Sequence, residues 1–317
     1  MNAQDYKLTG NHTYHHLLSI DPMTNTPTVV KKLDSFLIKQ FVRQVITEDL
    51  GFGDITTDLC VPPESQCRGS IYAKEPEIVI AGLDICRHIF FEFDPQLTIA
   101  FCVTEGTTLQ GSTGQKQLIG EIHGSTSSIL KMERLALNML SRMCGIATYT
   151  RKLAHAISNL PAILLDTRKT TPGLKIFDKY ASLVGGAKNH RFHLSDGILI
   201  KENHITVSQD LTHLIKLAKT SGPMHLKVEV EVSSQEQLRC ALEAGADIIM
   251  LDNMSLANMT ACVKYAAGRV PLEASGNIDL ANIHDVAKTG VDYISSSAMF
   301  RAPNSDLTLL LDPCAGE

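Results

Sequence analysis

The feature that most constrains the fold is a regular alternation of short apolar runs and helical patterns in the second half of the chain. The apolar runs predict six strands, at residues 162–165, 197–200, 227–232, 247–251, 271–274 and 292–295. Helical patterns fill most of the gaps, for example at residues 234–244, 256–267 and 283–288. This alternation favours a parallel sheet covered by helices. Six strands are too few for a complete eight-stranded barrel, so a short barrel, a barrel with unrecognised strands and an open doubly wound sheet all remain possible.

Composition narrows the class of protein. The 317 residues are 44% hydrophobic and 20% charged, which is typical of a globular protein with a sizeable core. A net charge of −5 argues against a nucleic-acid coat, so any anion site must be a local concentration of cations. The eight cysteines form no C-x-x-C pair and predict reduced thiols in a cytoplasmic protein. The N-terminus has no apolar run long enough to cross a membrane.

The first part of the chain predicts a separate small α/β domain. A helical stripe over residues 31–50 ends at Gly51, and short strands separated by turns follow over residues 69–120, with a helix at 84–93. Gly51 and Gly53 indicate a structural turn, because no helix is expected to follow them as a phosphate loop requires. The polar segment around His12, His15 and His16 is interpreted as a tail in preference to a metal site.

The junction between the two parts is predicted to be helical and interrupted. A strongly apolar helix covers residues 127–140, and the chain then passes through Gly145 into a second helix that ends near Leu160. Arg134 in the first of these helices is interpreted from its local pattern as exposed beside Glu133. Near the C-terminus, the run LTLLL predicts a strand that returns to the sheet of the first domain, which would make that domain discontinuous.

Polar residues gather where the predicted barrel strands end, and in α/β barrels these strand exits carry the chemistry. The cationic group is Arg168, Lys169, Arg191 and Lys201, accompanied by His190 and His193. It suits a small polycarboxylate or polyphosphate. Glu229 and Glu231 share one face of a strand, and Glu231 with Asp252 would suit Mg²⁺. The loops Ser275–Gly276–Asn277 and Ser295–Ser296–Ser297 offer N–H groups and hydroxyls to a phosphate.

Each group also has an ordinary structural interpretation. The TRKTT segment could be a solvated basic turn, and Glu229 could pair with a lysine inside the barrel. Serine-rich loops are usually turns, and single histidines are usually structural. The order of cations, then carboxylates, then phosphate-type loops along successive strands favours the functional interpretation.

Eight motifs in this order resemble the quinolinate phosphoribosyltransferase family. They are EDLGFGDITTD, MERLALNMLSRMCGIAT, DTRKTTPGLK, NHRFHLSDGILIKENH, VEVEV, IMLDN, EASGNI and GVDYIS, between about Leu33 and about Ser297. The resemblance implies an N-terminal α/β sandwich domain and an incomplete α/β barrel of the type II phosphoribosyltransferase kind. The implied division is a polar extension at 1–30, a sandwich domain at 31–136 with 300–317, and a catalytic barrel at 137–299.

The resemblance implies transfer of phosphoribosyl from phosphoribosyl pyrophosphate (PRPP) to quinolinate with loss of CO₂. It implies a quinolinate site made of Arg134, Thr167, Arg168, Lys169, His190, Arg191 and Lys201. It implies a PRPP and phosphate site made of Glu231, Asp252, Ser275, Gly276, Asn277, Ser295, Ser296 and Ser297, with Mg²⁺ as cofactor near Glu231 and Asp252. Lys169, Glu231 and Asp252 are the implied catalytic residues. Serine at 297 departs from the family's usual glycine.

The resemblance also implies a homodimer in which Arg134 reaches the partner's site, overriding the local interpretation of this arginine. Two other functions are consistent with an anion-binding barrel. One is a phosphoribosyltransferase that acts on nicotinate without decarboxylation and needs fewer cations. The other is a non-catalytic barrel that senses anionic metabolites. Release of CO₂ and pyrophosphate would distinguish these three.

Overall fold

The computed structural model describes residues 17–20, 27–30 and 33–313. His12, His15 and His16 lie outside these residues. In the first part of the chain the elements are β1 (Leu17–Ile20), β2 (Pro27–Val30), α1 (Ser35–Leu50), α2 (Ile55–Cys60), β3 (Gln66–Ala73), β4 (Glu77–Val79), α3 (Leu83–Phe93), β5 (Thr98–Phe101), β6 (Thr108–Gln110), β7 (Gln117–Ser125) and α4 (Thr126–Ala156).

The second part of the chain alternates strands and helices. Its elements are β8 (Ile163–Leu165), α5 (Lys175–Gly185), β9 (Ile198–Ile200), α6 (Glu202–Ser208), α7 (Leu211–Ser221), β10 (Val228–Val232), α8 (Gln235–Ala244), β11 (Ile248–Asp252), α9 (Leu256–Ala266), β12 (Leu272–Ser275), α10 (Ile283–Lys288), β13 (Tyr293–Ser295), a 3₁₀ turn at Ala298–Arg301, and β14 (Leu307–Pro313). All six predicted barrel strands are confirmed, each within one residue at either end.

The six strands form one parallel sheet in the order β8-β13-β12-β11-β10-β9. The first strand therefore lies beside the last, as in a barrel that closes on itself, whereas a doubly wound sheet has its first strand in the interior. Lys188 extends the sheet by pairing with Leu165 on the free side of β8. The described strands leave a gap between this segment and β9, so the incomplete barrel is confirmed and the doubly wound alternative is wrong.

The first domain is built on a four-stranded antiparallel sheet in the order β14-β3-β7-β5. Strand β14 pairs with β3 along its whole length, from Leu307 opposite Ala73 to Pro313 opposite Cys67. The predicted return of LTLLL to this sheet is confirmed. The short hairpin of β1 with β2 and the helix α2 were not predicted from the sequence. Because Asp54 caps α2 through the amide of Thr57, the expectation that no helix follows the glycine turn is wrong.

The predicted break between two helices at Gly145 is also wrong, because α4 is continuous over 31 residues. A glycine usually weakens a helix, but here it serves packing. A Cβ at this position would overlap the carbonyl oxygen of Pro303. The chain that leads to β14 therefore passes directly against α4. The helix contains residues 136 and 137, so it joins the two proposed domains, and their boundary stays a prediction.

Helix α4 also packs against both domains. Its buried side chains include Met132, Leu140 and Met143, which pack in one continuous core with residues of both domains. Among the described residues, no helix is both long and apolar enough to span a bilayer.

Candidate active site

The TRKTT segment at the end of β8 is held in place from below by the buried carboxylate of Asp166. Its oxygens accept hydrogen bonds from Lys179 Nζ at 2.5 Å, Ser182 Oγ at 3.0 Å, Asn189 Nδ2 at 2.7 Å and the His190 amide at 2.8 Å. Burial raises the pKa of Asp166, while the Lys179 charge opposes that rise. One carboxylate thus fixes the end of β8 against the segment that carries His190.

The same segment is held from the side by Arg142 of α4. The guanidinium binds Asp178 through two hydrogen bonds of 2.8 Å and donates to Thr171 Oγ1 at 2.7 Å. Asp178 in turn accepts the Thr171 amide at 3.0 Å. A bidentate arginine–carboxylate pair gives a defined geometry, so the long helix sets the position of the basic loop.

The loop presents its cations to a neighbouring arginine. Arg168 and Lys169 are exposed, and Arg191 is half-buried. Burial lowers the pKa of Arg191, and the nearby charge of Arg168 lowers it further. Arg191 donates one hydrogen bond to the Gly197 carbonyl at 2.6 Å, while its Nε is buried without a partner. Two like charges and an unsatisfied donor together favour an anionic ligand.

His190 points into the barrel interior. Its Nε2 lies 3.2 Å from Glu229 Oε2 and 3.8 Å from Glu273 Oε2. Its Nδ1 accepts the Arg191 amide at 2.8 Å. Burial lowers the pKa of His190, but the hydrogen bond to Glu229 and the charges of both glutamates raise it above its ordinary value overall. Glu229 therefore lies against this histidine, and not against a lysine as in its alternative structural interpretation.

Glu231 and Asp252 lie on adjacent strands near their carboxyl ends. Burial raises the pKa of Glu231, and the charge of Asp252 raises it further. Lys201 Nζ lies 3.7 Å from Glu231 Oε2 and partly offsets this repulsion. The two carboxylates border a small cleft of about 150 Å³, between the start of α6 and the ends of β10 and β11. Two carboxylates with one partly exposed lysine form a site with a local excess of negative charge.

The first of the two serine-containing loops has a constrained backbone. Gly276 adopts φ 102°, and a Cβ there would overlap the side chain of Asn253. Asn277 also has a positive φ and donates to Asn253 Oδ1 at 3.2 Å. Only glycine permits this close approach, which brings the loop against the end of β11.

The hydroxyls of the second loop already have partners. Ser295 is buried and hydrogen-bonds Glu273, and Ser296 Oγ donates to the Ile278 carbonyl at 2.6 Å. Ser297 Oγ accepts from Arg301 at 2.8 Å. The backbone amide of Ser296 also has a partner, because it donates to the Leu165 carbonyl at 3.1 Å. The use of these serines for phosphate binding stays a prediction.

Arg134 is the one predicted site residue that stands apart. It is exposed on α4, and within residues 33–313 it makes no hydrogen bond or salt bridge. It lies eight residues before Arg142, or about 12 Å along the helix axis. One chain therefore brings Arg168, Arg191 and His190 together, and Lys201 with Glu231 and Asp252, while Arg134 remains outside this group.

A larger cavity of about 340 Å³ opens beneath His190 toward the amino ends of the strands. It is bordered by Arg191, Glu229 and Glu273, and further down by Lys227 and Tyr293. His190, Glu229 and Glu273 place three potential ligand atoms within 4.8 Å of one another, which resembles a metal site. Because Nδ1 of His190 accepts an N–H, the ring hydrogen lies on Nε2, which leaves no nitrogen lone pair for a metal.

Sequence reasoning did not identify Asp166, Arg142 or Glu273 as functional candidates. The hydrogen-bond partners of Asp166 and Arg142 lie 13 to 36 positions away in the chain. Asp166 directly follows a predicted strand and precedes the basic loop, a position that could have identified it. Nothing in the local pattern around Arg142 or Glu273 indicates their partners.

Comparison with known proteins gives the chain's relationships. Sequence models described as the quinolinate phosphoribosyl transferase N-terminal and C-terminal domains match residues 54–144 and 146–310. A probable nicotinate-nucleotide pyrophosphorylase [carboxylating] from Synechocystis sp. is 39% identical over 91% of this chain and 95% of its own length.

Two further relatives extend this comparison. Quinolinate phosphoribosyltransferase [decarboxylating] 2, mitochondrial, from Nicotiana glauca is 35% identical over 87% of this chain and 82% of its own length. The solved structure of nicotinate-nucleotide pyrophosphorylase from Francisella tularensis is 36% identical, covers 89% of this chain and 99% of its own, and superimposes with a TM-score of 0.83.

Proposed function

Since the chain belongs to the quinolinate phosphoribosyltransferase family, we propose that the cations and carboxylates at its barrel strand exits are the active site of this reaction. The enzyme transfers the phosphoribosyl group of PRPP to quinolinate and releases pyrophosphate and CO₂, which gives nicotinate mononucleotide for de novo NAD synthesis. The observation that carries the site assignment is that Arg168 lies close enough to the half-buried Arg191 for its charge to lower the pKa of Arg191. The Nε of Arg191 is also buried without a hydrogen-bond partner. Two adjacent cations of this kind match the two carboxylates of quinolinate.

We propose that Thr167, Arg168, Lys169, His190, Arg191 and Lys201 hold quinolinate. A guanidinium can bind a carboxylate through two parallel hydrogen bonds, and a lysine adds a mobile point charge. Asp166 and Arg142 hold the loop from below and from the side. The cations are therefore positioned before the substrate arrives, which reduces the entropy cost of reaching the reactive geometry.

The bond changes follow from the chemistry of the two substrates. The ring nitrogen of quinolinate donates its electron pair to the anomeric carbon of the ribose, and the bond to pyrophosphate breaks with its electrons on the leaving oxygen. Glu231 and Asp252 would stabilise the positive charge that develops on the ribose. The alkylated ring is then cationic, so loss of CO₂ leaves an electron pair on the adjacent carbon next to the positive nitrogen. A proton from the surrounding water or a nearby acid replaces the carboxylate.

We propose Mg²⁺ as the cofactor, held near Glu231 and Asp252 through PRPP. The two carboxylates repel each other, and Lys201 compensates only one of them, which is the donor set that a hard divalent cation prefers. When bound, Mg²⁺ would neutralise the pyrophosphate leaving group. The loops formed by Ser275, Gly276 and Asn277 and by Ser295, Ser296 and Ser297 would receive the 5-phosphate.

We further propose that the enzyme is a homodimer that shares its active sites. The exposed guanidinium of Arg134 makes no hydrogen bond or salt bridge among the described residues and stands outside the pocket of its own chain, which supports a role in the site of a second copy. Mixing an inactive Arg134→Ala variant with an inactive Lys169→Ala variant should restore activity, because some sites then contain both intact residues. Failure of all mixing ratios to restore activity would contradict the shared site. The seven described cysteines are all free, which supports a cytoplasmic location.

The proposed function is tested by incubating the purified protein with PRPP, Mg²⁺ and quinolinate labelled in the carboxylate next to the ring nitrogen. Labelled CO₂ and pyrophosphate should appear in equal amounts. A parallel reaction with nicotinate tests the non-decarboxylating alternative and should release little pyrophosphate. Binding of quinolinate without either product would instead support a non-catalytic anion-binding barrel.

A further inference from the structure

Two carboxylates beneath the proposed quinolinate pocket have an unexplained arrangement. Glu229 and Glu273 are 7% and 2% exposed, and both point into the barrel interior. Each has one buried oxygen, Oε1, with no hydrogen-bond partner. One carboxylate oxygen of each lies within 4.8 Å of the other. Two ionised carboxylates cannot hydrogen-bond, so leaving both oxygens unsatisfied would be costly in this environment.

A single proton between the two groups removes this cost. Glu229 Oε2 lies 3.2 Å from His190 Nε2 and accepts its N–H. Glu273 is the more deeply buried of the two and has no basic partner as close. Burial and the charge of Glu229 raise the pKa of Glu273 to about 8, despite the opposing effects of His190 and Ser295. The proton therefore belongs on Glu273.

We propose that Glu273 is held protonated, shares its proton with Glu229, and acts as a positioning residue for His190 in the substrate pocket. This inference rests on the proposed function for its effect on catalysis, but the protonation itself does not depend on that function. The hydrogen-bonded order is Glu273 to Glu229 to His190, with the Arg191 amide on the far side of the imidazole. The ring is thus fixed at both nitrogens, with its hydrogen on Nε2.

The shared proton also sets the charge under the substrate. When Glu273 is neutral, the two glutamates together carry one negative charge beneath quinolinate, which itself carries two negative charges. The ionisable groups that face Glu273 are Glu229 from β10 and His190 from the loop that precedes β9. Arg191, His225 and Lys227 border the same cavity. Lys179 Nζ donates a hydrogen bond to the carbonyl oxygen of His190. Loss of the proton would add a second negative charge and release Glu229 from Glu273.

The test compares Glu273→Gln with Glu273→Ala in the full-length enzyme. The glutamine amide can still donate to Glu229 and accept from Ser295, so it replaces the protonated acid. At pH 7 we expect KM for quinolinate to stay within about threefold of wild type in Glu273→Gln and to rise at least tenfold in Glu273→Ala. KM for PRPP should change little in either variant. Above pH 8 the wild-type KM for quinolinate should rise, and that of Glu273→Gln should stay flat.

An infrared measurement tests the proton without relying on activity. The wild-type spectrum at pH 7 should contain a carbonyl band of a protonated carboxylic acid that is missing from Glu273→Gln. Glu243→Gln, at an exposed position, serves as a control and should keep the band. An unchanged band in Glu273→Gln would overturn the proposal, as would a tenfold rise in KM in that folded variant at pH 7. If the wild-type enzyme formed no CO₂, the proposed function would be wrong. The infrared measurement would still show whether Glu273 carries a proton.

Discussion

Arg168 owes its proposed importance to its neighbour, because its charge is close enough to lower the pKa of Arg191. Arg168→Ala removes one of two cations that would face a substrate dianion. We expect kcat/KM for quinolinate to fall by about a hundredfold, which corresponds to roughly 3 kcal/mol of transition-state stabilisation. Steady-state kinetics with varied quinolinate would measure this.

The matched control is Arg269→Ala. Arg269 donates to the carbonyls of Tyr265 and Ala266 in α9 and lies over the Tyr265 ring, away from the strand exits. That variant should retain nearly wild-type kinetics. If Arg168→Ala left kcat/KM unchanged, Arg168 would not belong to the quinolinate pocket.

Asp252 is expected to act on the other substrate. Asp252→Ala removes one of the two carboxylates proposed to face the Mg²⁺-bound PRPP, so we expect a weaker response to Mg²⁺ and a kcat at least tenfold lower. Initial rates over a range of Mg²⁺ concentrations would measure both. Asp285→Ala, which removes an exposed carboxylate paired only with Lys288, should behave like wild type. Normal kinetics of Asp252→Ala at every Mg²⁺ concentration would refute the assigned role.

The side chains that sequence reasoning could identify are those that follow directly from strand ends. Arg168 and Lys169 come within four residues of an apolar run, Asp252 directly follows one, and Glu231 follows from strand alternation. Arg142 and Glu273 could not be identified in this way, because their roles depend on partners brought near by the fold. The partners of Glu273 are Glu229 and His190, which come from other elements of the barrel.

Helix α4 combines a strong apolar pattern with a glycine that sequence reasoning took for a break. Alanine has the higher intrinsic helix propensity by about 1 kcal/mol, but a Cβ at position 145 would overlap the Pro303 carbonyl. We expect Gly145→Ala to lower the free energy of unfolding by about 1 to 3 kcal/mol, as in other overpacked interiors. Urea denaturation would measure the change.

Asn138→Ala in the same helix is the matched control. Asn138 is exposed, so the substitution should raise stability by about 0.5 kcal/mol through propensity alone. If Gly145→Ala were equally stabilising, the close approach of the C-terminal segment to α4 would be wrong.

Most barrel strands were predictable because strands covered on both faces appear as short apolar runs, while β10 is recognised by its alternation of valine and glutamate. The short strand β6 and the hairpin of β1 with β2 gave no such signal, since polar residues or proline interrupt their sequences TLQ, LLSI and PTVV. The continuity of α4 could not be predicted, because the reason for Gly145 lies more than 150 positions away in the chain.

The contact between the two domains contains a half-buried acid. Glu105 accepts the amides of Gly82 and Leu83 at the start of α3, and Tyr180 of the barrel helix α5 hydrogen-bonds to it. Burial raises the pKa of Glu105 to about 7, although these amides oppose the rise. A raised folded pKa stabilises the protein most below the unfolded value near 4.5, and this stabilisation is lost as pH rises through about 7.

We therefore expect wild type to lose about 2 to 3 kcal/mol of stability relative to Glu105→Gln between pH 5 and pH 8. Glutamine does not ionise, so the difference between the two proteins isolates this one group. Denaturation of both proteins at each pH would measure it. A difference that stayed constant with pH would show that Glu105 does not bind a proton more tightly in the folded chain.

The arrangement of the complete chain was only partly predictable. Alternating elements indicated a parallel sheet, but the position of the first strand beside the last required the structure to exclude a doubly wound sheet. The return of β14 to the first domain followed from an apolar run, although its register with β3 did not. Whether a second copy supplies Arg134 follows from the family resemblance and not from the pattern around that residue.

The most direct test of the account is a crystal structure of the enzyme with quinolinate bound. Both carboxylates should contact cations from separate strand exits, with Arg168 and Arg191 among them and Arg134 of the partner subunit closing the pocket. His190 should remain bonded to Glu229 beneath the ring. Quinolinate bound elsewhere, with the Arg168 and Arg191 guanidinium groups directed to different faces of the protein, would contradict the account.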